Sequence, residues 1–305
     1  MSNPNIIVIG ASAGGIEALQ VIARGLPCDL PAAVFVVVHM GAGLNGNSLL
    51  PEILGRSGPL PATTAIDGER IRQSHIYVAR PDFHLLLEPG RMRVVDGPRE
   101  NLTRPAINPL FRSAAAVYGQ RVVGVILTGQ LDDGVAGLAE IKRRGGLTII
   151  QNPATALYPS MPQQAVRYIE ADHVANLGDI PAILAVLAAN DRAATEVVES
   201  MSRNATNLTC PECQGPIWEE RQGRILEYRC RVGHGFSPLT FLQEHRARVE
   251  RSLWESVVSL EEAADLSEQF VDELGAEATE DAKQKREQAG AIRTFLDKSK
   301  RRPPV

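Results

Sequence analysis

The sequence predicts a doubly wound α/β fold with a mostly parallel, Rossmann-like sheet, and three observations carry that expectation. Runs of apolar, largely β-branched residues alternate with helix-like stretches through about residue 190, the pattern of strands joined by crossover helices. Glycine-lined turns follow two of these runs, at Gly10-Ala11-Ser12-Ala13-Gly14 and at Thr128-Gly129. With 305 residues, 44% of them hydrophobic, the chain can bury a large core and is expected to hold more than one domain.

Strands are expected at 5–9, 33–38, 75–79, 84–87, 91–95, 121–127, 147–151 and 173–176. The runs 84–87 and 91–95 flank Glu88-Pro89-Gly90 and read as a hairpin at an edge of the sheet. Helices are expected at 14–25, 47–56, 106–118, 134–144, 161–169 and 179–189. Ligands of such sheets bind beyond the carboxyl ends of the strands. Chemistry-bearing residues at those ends are therefore the ones to weigh.

The first strand, Ile6-Ile7-Val8-Ile9, runs into a G-x-S-x-G pattern centred on Ser12. A strand followed by a glycine-lined turn lifts the middle side chain out of the sheet, as a nucleophile requires. Serine also caps helices. Gly10, Ser12 and Gly15 further approximate a dinucleotide loop, which expects an acidic residue at the end of the next strand to hold a ribose. That strand, Ala33 to Val38, ends instead in His39-Met40. A general base stands where the ribose acid belongs, which disfavours a nucleotide-binding oxidoreductase.

A third strand, Val122 to Leu127, ends in Thr128-Gly129-Gln130-Leu131-Asp132-Asp133-Gly134. Either aspartate suits turn or cap chemistry taken alone. Together with Ser12 and His39, one of them completes a set in which an imidazole takes the serine proton and a carboxylate fixes the imidazole.

A net charge of -4 leaves no basic footprint for nucleic acid. No apolar run reaches the roughly 18 residues of a membrane span, and no signal sequence opens the chain. A cytoplasmic protein without direct membrane insertion is expected.

Several separated blocks resemble the catalytic domain of the CheB-type chemotaxis protein-glutamate methylesterases. They are Val8 to Gly15, Val38-His39-Met40, Ile76 to His84, Arg104 to Ser113, Leu127-Thr128-Gly129 with Asp133-Gly134, and Gln151-Asn152. By position the resemblance implies Ser12 as nucleophile, His39 as its base and Asp133, rather than Asp132, as the orienting carboxylate. It implies hydrolysis of glutamate γ-methyl esters on methyl-accepting chemotaxis receptors, with release of methanol and no cofactor for the catalysis. Glutamine deamidation through the same acyl intermediate is the related activity, and a catalytically silent receptor-binding or scaffold module the alternative. Ala13, Met40, Gly129 and Gln130 are expected to form the oxyanion and substrate loop. Gln130-Leu131 stand where relatives often have Met-Gly, a change that bears on loop shape. Many relatives carry an N-terminal receiver, whereas this chain starts close to its first catalytic strand, so control by phosphorylation within the chain is not expected.

The resulting division is a catalytic domain over 1–190, a linker over 191–207, a small module over 208–237 and a helical extension over 238–305. In the module, Cys210-Pro211-Glu212-Cys213 and Cys230-Arg231-Val232-Gly233-His234 supply two ligand pairs. A short hairpin carrying one pair at each end would gather three thiolates and an imidazole for a structural, zinc-ribbon-like site. Beyond it, Leu242, Val249, Leu253, Val257, Leu260 and Ala264 form a stripe at helical spacing. That stripe is expected to pack on the small module or the catalytic domain, or else to serve as a dimerising or partner-docking face. The basic end, Lys298 to Val305, reads as a solvated tail.

Overall fold

The computed structural model describes residues 5–39, 48–189 and 202–300. Its centre is a seven-stranded sheet built from β1 (Asn5–Ala11), β2 (Ala32–Val38), β3 (Ala62–Thr64), β4 (His75–Val78), β7 (Val122–Ile126), β8 (Leu147–Gln151) and β9 (His173–Ala175). The order is β3-β4-β2-β1-β7-β8-β9, with every neighbouring pair parallel. The expected doubly wound sheet is thus observed. Between the two parallel runs, β5 (His84–Glu88) and β6 (Arg91–Val95) form the hairpin, as a separate two-stranded antiparallel sheet.

Strand periodicity divides the core in two. Ile6 and Val8 of β1, with Ala33, Phe35 and Val37 of β2, face one layer. Helix α3 (Ile107–Tyr118), α4 (Val135–Arg143), α5 (Ser160–Tyr168) and the hairpin cover that face. Ile7, Ile9, Val34, Val36 and Val38 face the other, under α1 (Gly15–Gly25), α2 (Leu50–Ser57) and α6 (Ile180–Ala189). Because both faces are covered, these strands are apolar throughout rather than alternating. Each large side chain buried here contributes roughly 1.5–3 kcal/mol.

A second sheet, antiparallel, has the order β10 (Ser202–Thr209), β11 (Pro216–Gln222), β12 (Ile225–Cys230), β13 (Gly235–Phe236). Its own small core joins Cys210, Ile217, Cys230, Phe236 and Phe241, with Tyr228 stacked on Phe241 at 4.5 Å. Strand β10 begins at Ser202, inside the stretch expected to be linker. Its residues, SRNATNLT, are polar and mostly exposed, so no apolar alternation marks them, and pairing with β11 supplies the strand. The three-residue β3 was missed for a similar reason. Residues 190–201, most of the expected linker, lie outside the described residues, as do residue 47 of the second expected helix and 301–305 of the tail.

The chain divides into two compact units, Met1–Phe241 and Leu242–Val305. Helix α7 (Pro238–Gln269) is followed by α8 (Val271–Leu274) and α9 (Ala276–Lys300). Within the second unit Val257 and Ala264 are buried, as are Ala278, Ala282, Ala289 and Leu296 of α9. Arg286 bonds Asp265 and Glu268, and Arg293 reaches Glu261. The lower part of the stripe therefore packs on the chain's own last helix, an occupant the sequence reading did not name. Leu242 and Val249, at its upper end, are 50% and 59% exposed.

Candidate active site

The site lies where β1 and β7 adjoin, between connections that wind to opposite ends of the sheet. A crevice at the carboxyl ends is the consequence of that topology. Ser12 follows β1 directly, and its N–H donates to the Thr128 carbonyl at 3.0 Å, tying the two strand ends together. Gly14 adopts φ +71°, a left-handed conformation that turns the chain into α1 and that glycine adopts without strain.

His39 follows β2. Its Nδ1 lies 3.2 Å from Ser12 Oγ and its Nε2 lies 2.8 Å from Asp133 Oδ2. An ionised carboxylate only accepts, so Nε2 carries the proton and Nδ1 presents its lone pair to the serine. The two ring nitrogens have exchanged the roles they play in the chymotrypsin arrangement. The Thr103 hydroxyl lies 3.3 Å from Nε2 as a second neighbour.

Asp133 is buried and held by four donors. Besides His39, Ile107 N–H donates to Oδ2 at 2.6 Å, Asn101 Nδ2 to Oδ1 at 3.0 Å and Asn108 N–H to Oδ1 at 3.4 Å. Two of these are the first amides of α3, so the carboxylate also faces the positive end of a helix. Burial pushes the carboxyl up, but the His39 hydrogen bond and charge, then Ile107 and Asn101, outweigh it and leave the group below its usual range. The α3 terminus is itself fixed by His84, whose Nδ1 accepts from Ala106 N–H at 3.2 Å while Nε2 donates to the Pro98 carbonyl at 2.9 Å.

Asp132 points elsewhere. Its Oδ1 accepts from Ser237 Oγ at 2.6 Å and from Thr240 Oγ1 at 3.3 Å. Burial raises its carboxyl to about 6, with Asp133 adding to the rise and the Ser237 and Thr240 hydroxyls opposing it. The folded protein then holds a proton that the unfolded chain releases between about pH 4 and pH 6, so this group's contribution to stability declines as pH rises through that window. The loss is on the order of 3 kcal/mol above pH 6. Asp132→Asn keeps the acceptor and removes the charge, so denaturant unfolding at pH 7 should show a more stable protein. Lower stability of the variant at pH 7 would contradict this.

Of the four residues expected to form the oxyanion and substrate loop, Gly129 departs from that expectation. Gly129 N–H already donates to the Tyr158 carbonyl at 2.9 Å, and Gly129 O accepts from Met161 N–H at 2.9 Å, so its amide is not an oxyanion donor. Met40 lies outside the described residues. Ala13 and Gln130 flank the site, and their amides make no hydrogen bond among the described residues. Gly129 matters for space instead: a Cβ there would stand 2.9 Å from Ser12 Cβ and 2.7 Å from Met161 Cε. Gly129→Ala should displace Ser12, lowering turnover by about 10²-fold and stability by about 1–3 kcal/mol. Steady-state kinetics and a melting curve on the same sample check both, and unchanged turnover would refute the steric argument.

Asn101, Thr103, Ile107 and Asn108 were not singled out as site residues from the sequence. The signal for Ile107 and Asn108 was present, because Pro105 just ahead of a helical run marks a helix start, whose free amides attract an anion. Asn101 carries no such mark. Away from the site, Cys210, Cys213, Cys230 and His234 offer ligand atoms that all lie within 4.8 Å of one another.

A family model described as CheB methylesterase matches residues 7–184. A relative from Leptospira interrogans is 38% identical over 179 residues, 58% of this chain and 92% of its own length. The protein-glutamate methylesterase/protein-glutamine glutaminase of Yersinia pestis is 38% identical over 184 residues, 59% of this chain. The match spans only 52% of that longer protein. The crystal structure of the Thermotoga maritima CheB methylesterase catalytic domain superposes with a TM-score of 0.58 at 32% identity, covering 61% of this chain and 100% of that one.

Proposed function

Because the chain belongs to the CheB methylesterase family, we propose that it hydrolyses glutamate γ-methyl esters on chemoreceptor-like proteins through Ser12, His39 and Asp133. The observation that carries this reading is the continuous relay from Ser12 Oγ through the imidazole to Asp133, at 3.2 and 2.8 Å.

Ser12 Oγ attacks the ester carbonyl as Nδ1 of His39 takes its proton. Asp133 stabilises the imidazolium without taking a proton, as its lowered carboxyl range requires. Nδ1–H then protonates the departing methoxide, and methanol leaves an acyl-serine. Water attacks that ester, returns its proton through Nδ1, and frees the glutamate carboxylate. Base and acid help of this kind contributes roughly 10²–10⁴-fold. Ala13 and Gln130 supply the oxyanion amides in this scheme, since Ser12 and Gly129 already donate to carbonyls. Losing one such donor costs about 10²–10³-fold.

Glutamine side chains on the same receptors are a second substrate class, since amide and ester share the acyl intermediate; the Yersinia pestis relative's name pairs the two activities. No helix among the described residues is long and apolar enough to cross a membrane, in keeping with a cytoplasmic enzyme that meets receptors from the aqueous side. Incubating the full chain with methylated receptor membranes, and measuring methanol and binding together, tests the proposal. Methanol should appear in step with loss of receptor methyl groups. Saturable binding without methanol would overturn it in favour of a silent receptor-binding module.

A further inference from the structure

We propose that Cys210, Cys213, Cys230 and His234 bind one zinc ion whose task is to fix the corner of the second sheet that grips the active-site loop. The case begins with distances. Cys213 Sγ lies 3.7 Å from Cys230 Sγ, and His234 Nδ1 lies 3.5 Å from Cys230 Sγ and 3.7 Å from Cys210 Sγ. A tetrahedron with zinc–sulfur bonds near 2.3 Å and zinc–nitrogen bonds near 2.0–2.1 Å has edges of about 3.8 Å between sulfurs and about 3.5 Å between sulfur and nitrogen. The observed edges match those of such a shell.

Backbone geometry points the same way. Both ligand pairs sit in tight turns, each closed by the amide of its first cysteine. Cys210 N–H donates to the Gly215 carbonyl and Cys230 N–H to the His234 carbonyl, at 2.8 and 3.0 Å. The turns are completed by left-handed residues, Gln214 at φ 59° and Gly233 at φ 110°. The amides of Glu212 and Cys213 approach the Cys210 sulfur, and those of Val232, Gly233 and His234 approach Cys230. Amide donors around a metal-bound thiolate offset its charge and orient it.

Three sulfurs and one nitrogen suit zinc among common divalent ions. Four protein ligands close the shell, so the ion takes no substrate and its role is structural. That role follows from what leaves the site. One residue beyond His234, β13 begins at Gly235, whose carbonyl accepts from Asn101 N–H at 2.8 Å. Ser237 N–H donates to Asn101 Oδ1 at 2.8 Å while its hydroxyl bonds Asp132. Arg229, beside Cys230, reaches Glu100 Oε1 at 3.3 Å, and Glu100 also binds Arg112 of α3. Asn101 in turn holds Asp133. The ion pins β12 to β13 and so builds the edge that these contacts use.

Elemental analysis of the full chain purified without chelator tests the assignment independently of any esterase activity. It should give one zinc per chain, unchanged by Cys28→Ser, whose thiol is exposed and outside the cluster, and brought near zero by Cys213→Ser or His234→Ala. Cobalt exchanged into the wild-type chain should show the visible absorption of a tetrahedral thiolate site, a readout that stands even if the variants fail to fold. Removing the metal should raise amide exchange across 226–237. A folded wild-type chain with metal far below one ion, iron in place of zinc, zinc retained by both ligand variants, or exchange unchanged by metal removal would overturn the proposal.

Discussion

Asp133→Asn should lower methanol release by about 10⁴-fold, the scale on which loss of the orienting carboxylate acts in a serine hydrolase. The carboxylate accepts at both oxygens, from His39 and Ile107 at Oδ2 and from Asn101 and Asn108 at Oδ1. An amide can present its oxygen to only one pair, and its NH₂ group then faces donors. If the NH₂ faces Nε2, the imidazole turns to the other tautomer and Nδ1 no longer has a lone pair for Ser12. If it faces Asn101, the tautomer is kept but the negative charge that stabilises the imidazolium is gone, and two buried donors at the α3 terminus and the Asn101 loop lose their acceptor, at about 1–3 kcal/mol each. Both outcomes also lower the melting temperature, so kinetics belong at a temperature where circular dichroism shows the variant folded. Asp132→Asn is the matched control, because its carboxylate meets Ser237 and Thr240 rather than His39. Turnover of Asp133→Asn within tenfold of wild type would remove Asp133 from the relay.

The sheet and the gathering of Ser12, His39 and an aspartate at its strand ends were legible in the sequence for one physical reason, while the choice of Asp133 over Asp132 came from the family resemblance. Strands buried on both faces read as continuous apolar runs, and in a parallel sheet the residues just past those runs converge at one edge. Ser12, His39 and Asp133 each stand just past such a run. What the sequence left hidden depends on pairing between distant segments. Strand β10 is polar and exists through its bonds to β11. The Gly129 amide looked free until the chain near Tyr158 folded against it. Asn101, 32 residues from Asp133 along the chain, has no local signature that marks it as a partner. The helical stripe was visible, but periodicity says only that a face is covered and not by what; α9 covers part of it.

Ser12→Ala carries the largest expected effect. The serine holds its turn through backbone groups, its N–H to Thr128 O and its carbonyl to Gly15 N–H, neither of which needs the hydroxyl. The described Oγ contact is with His39, so alanine removes the hydroxyl and leaves the fold in place. The measurement is the initial rate of methanol release from methylated receptor membranes, for wild type and Ser12→Ala, at matched receptor occupancy. A fall of about 10⁶-fold is expected, as when the serine of a hydrolase triad is removed, with binding and melting temperature unchanged. Methanol release by Ser12→Ala at the wild-type rate would contradict the assignment of Ser12 as the nucleophile.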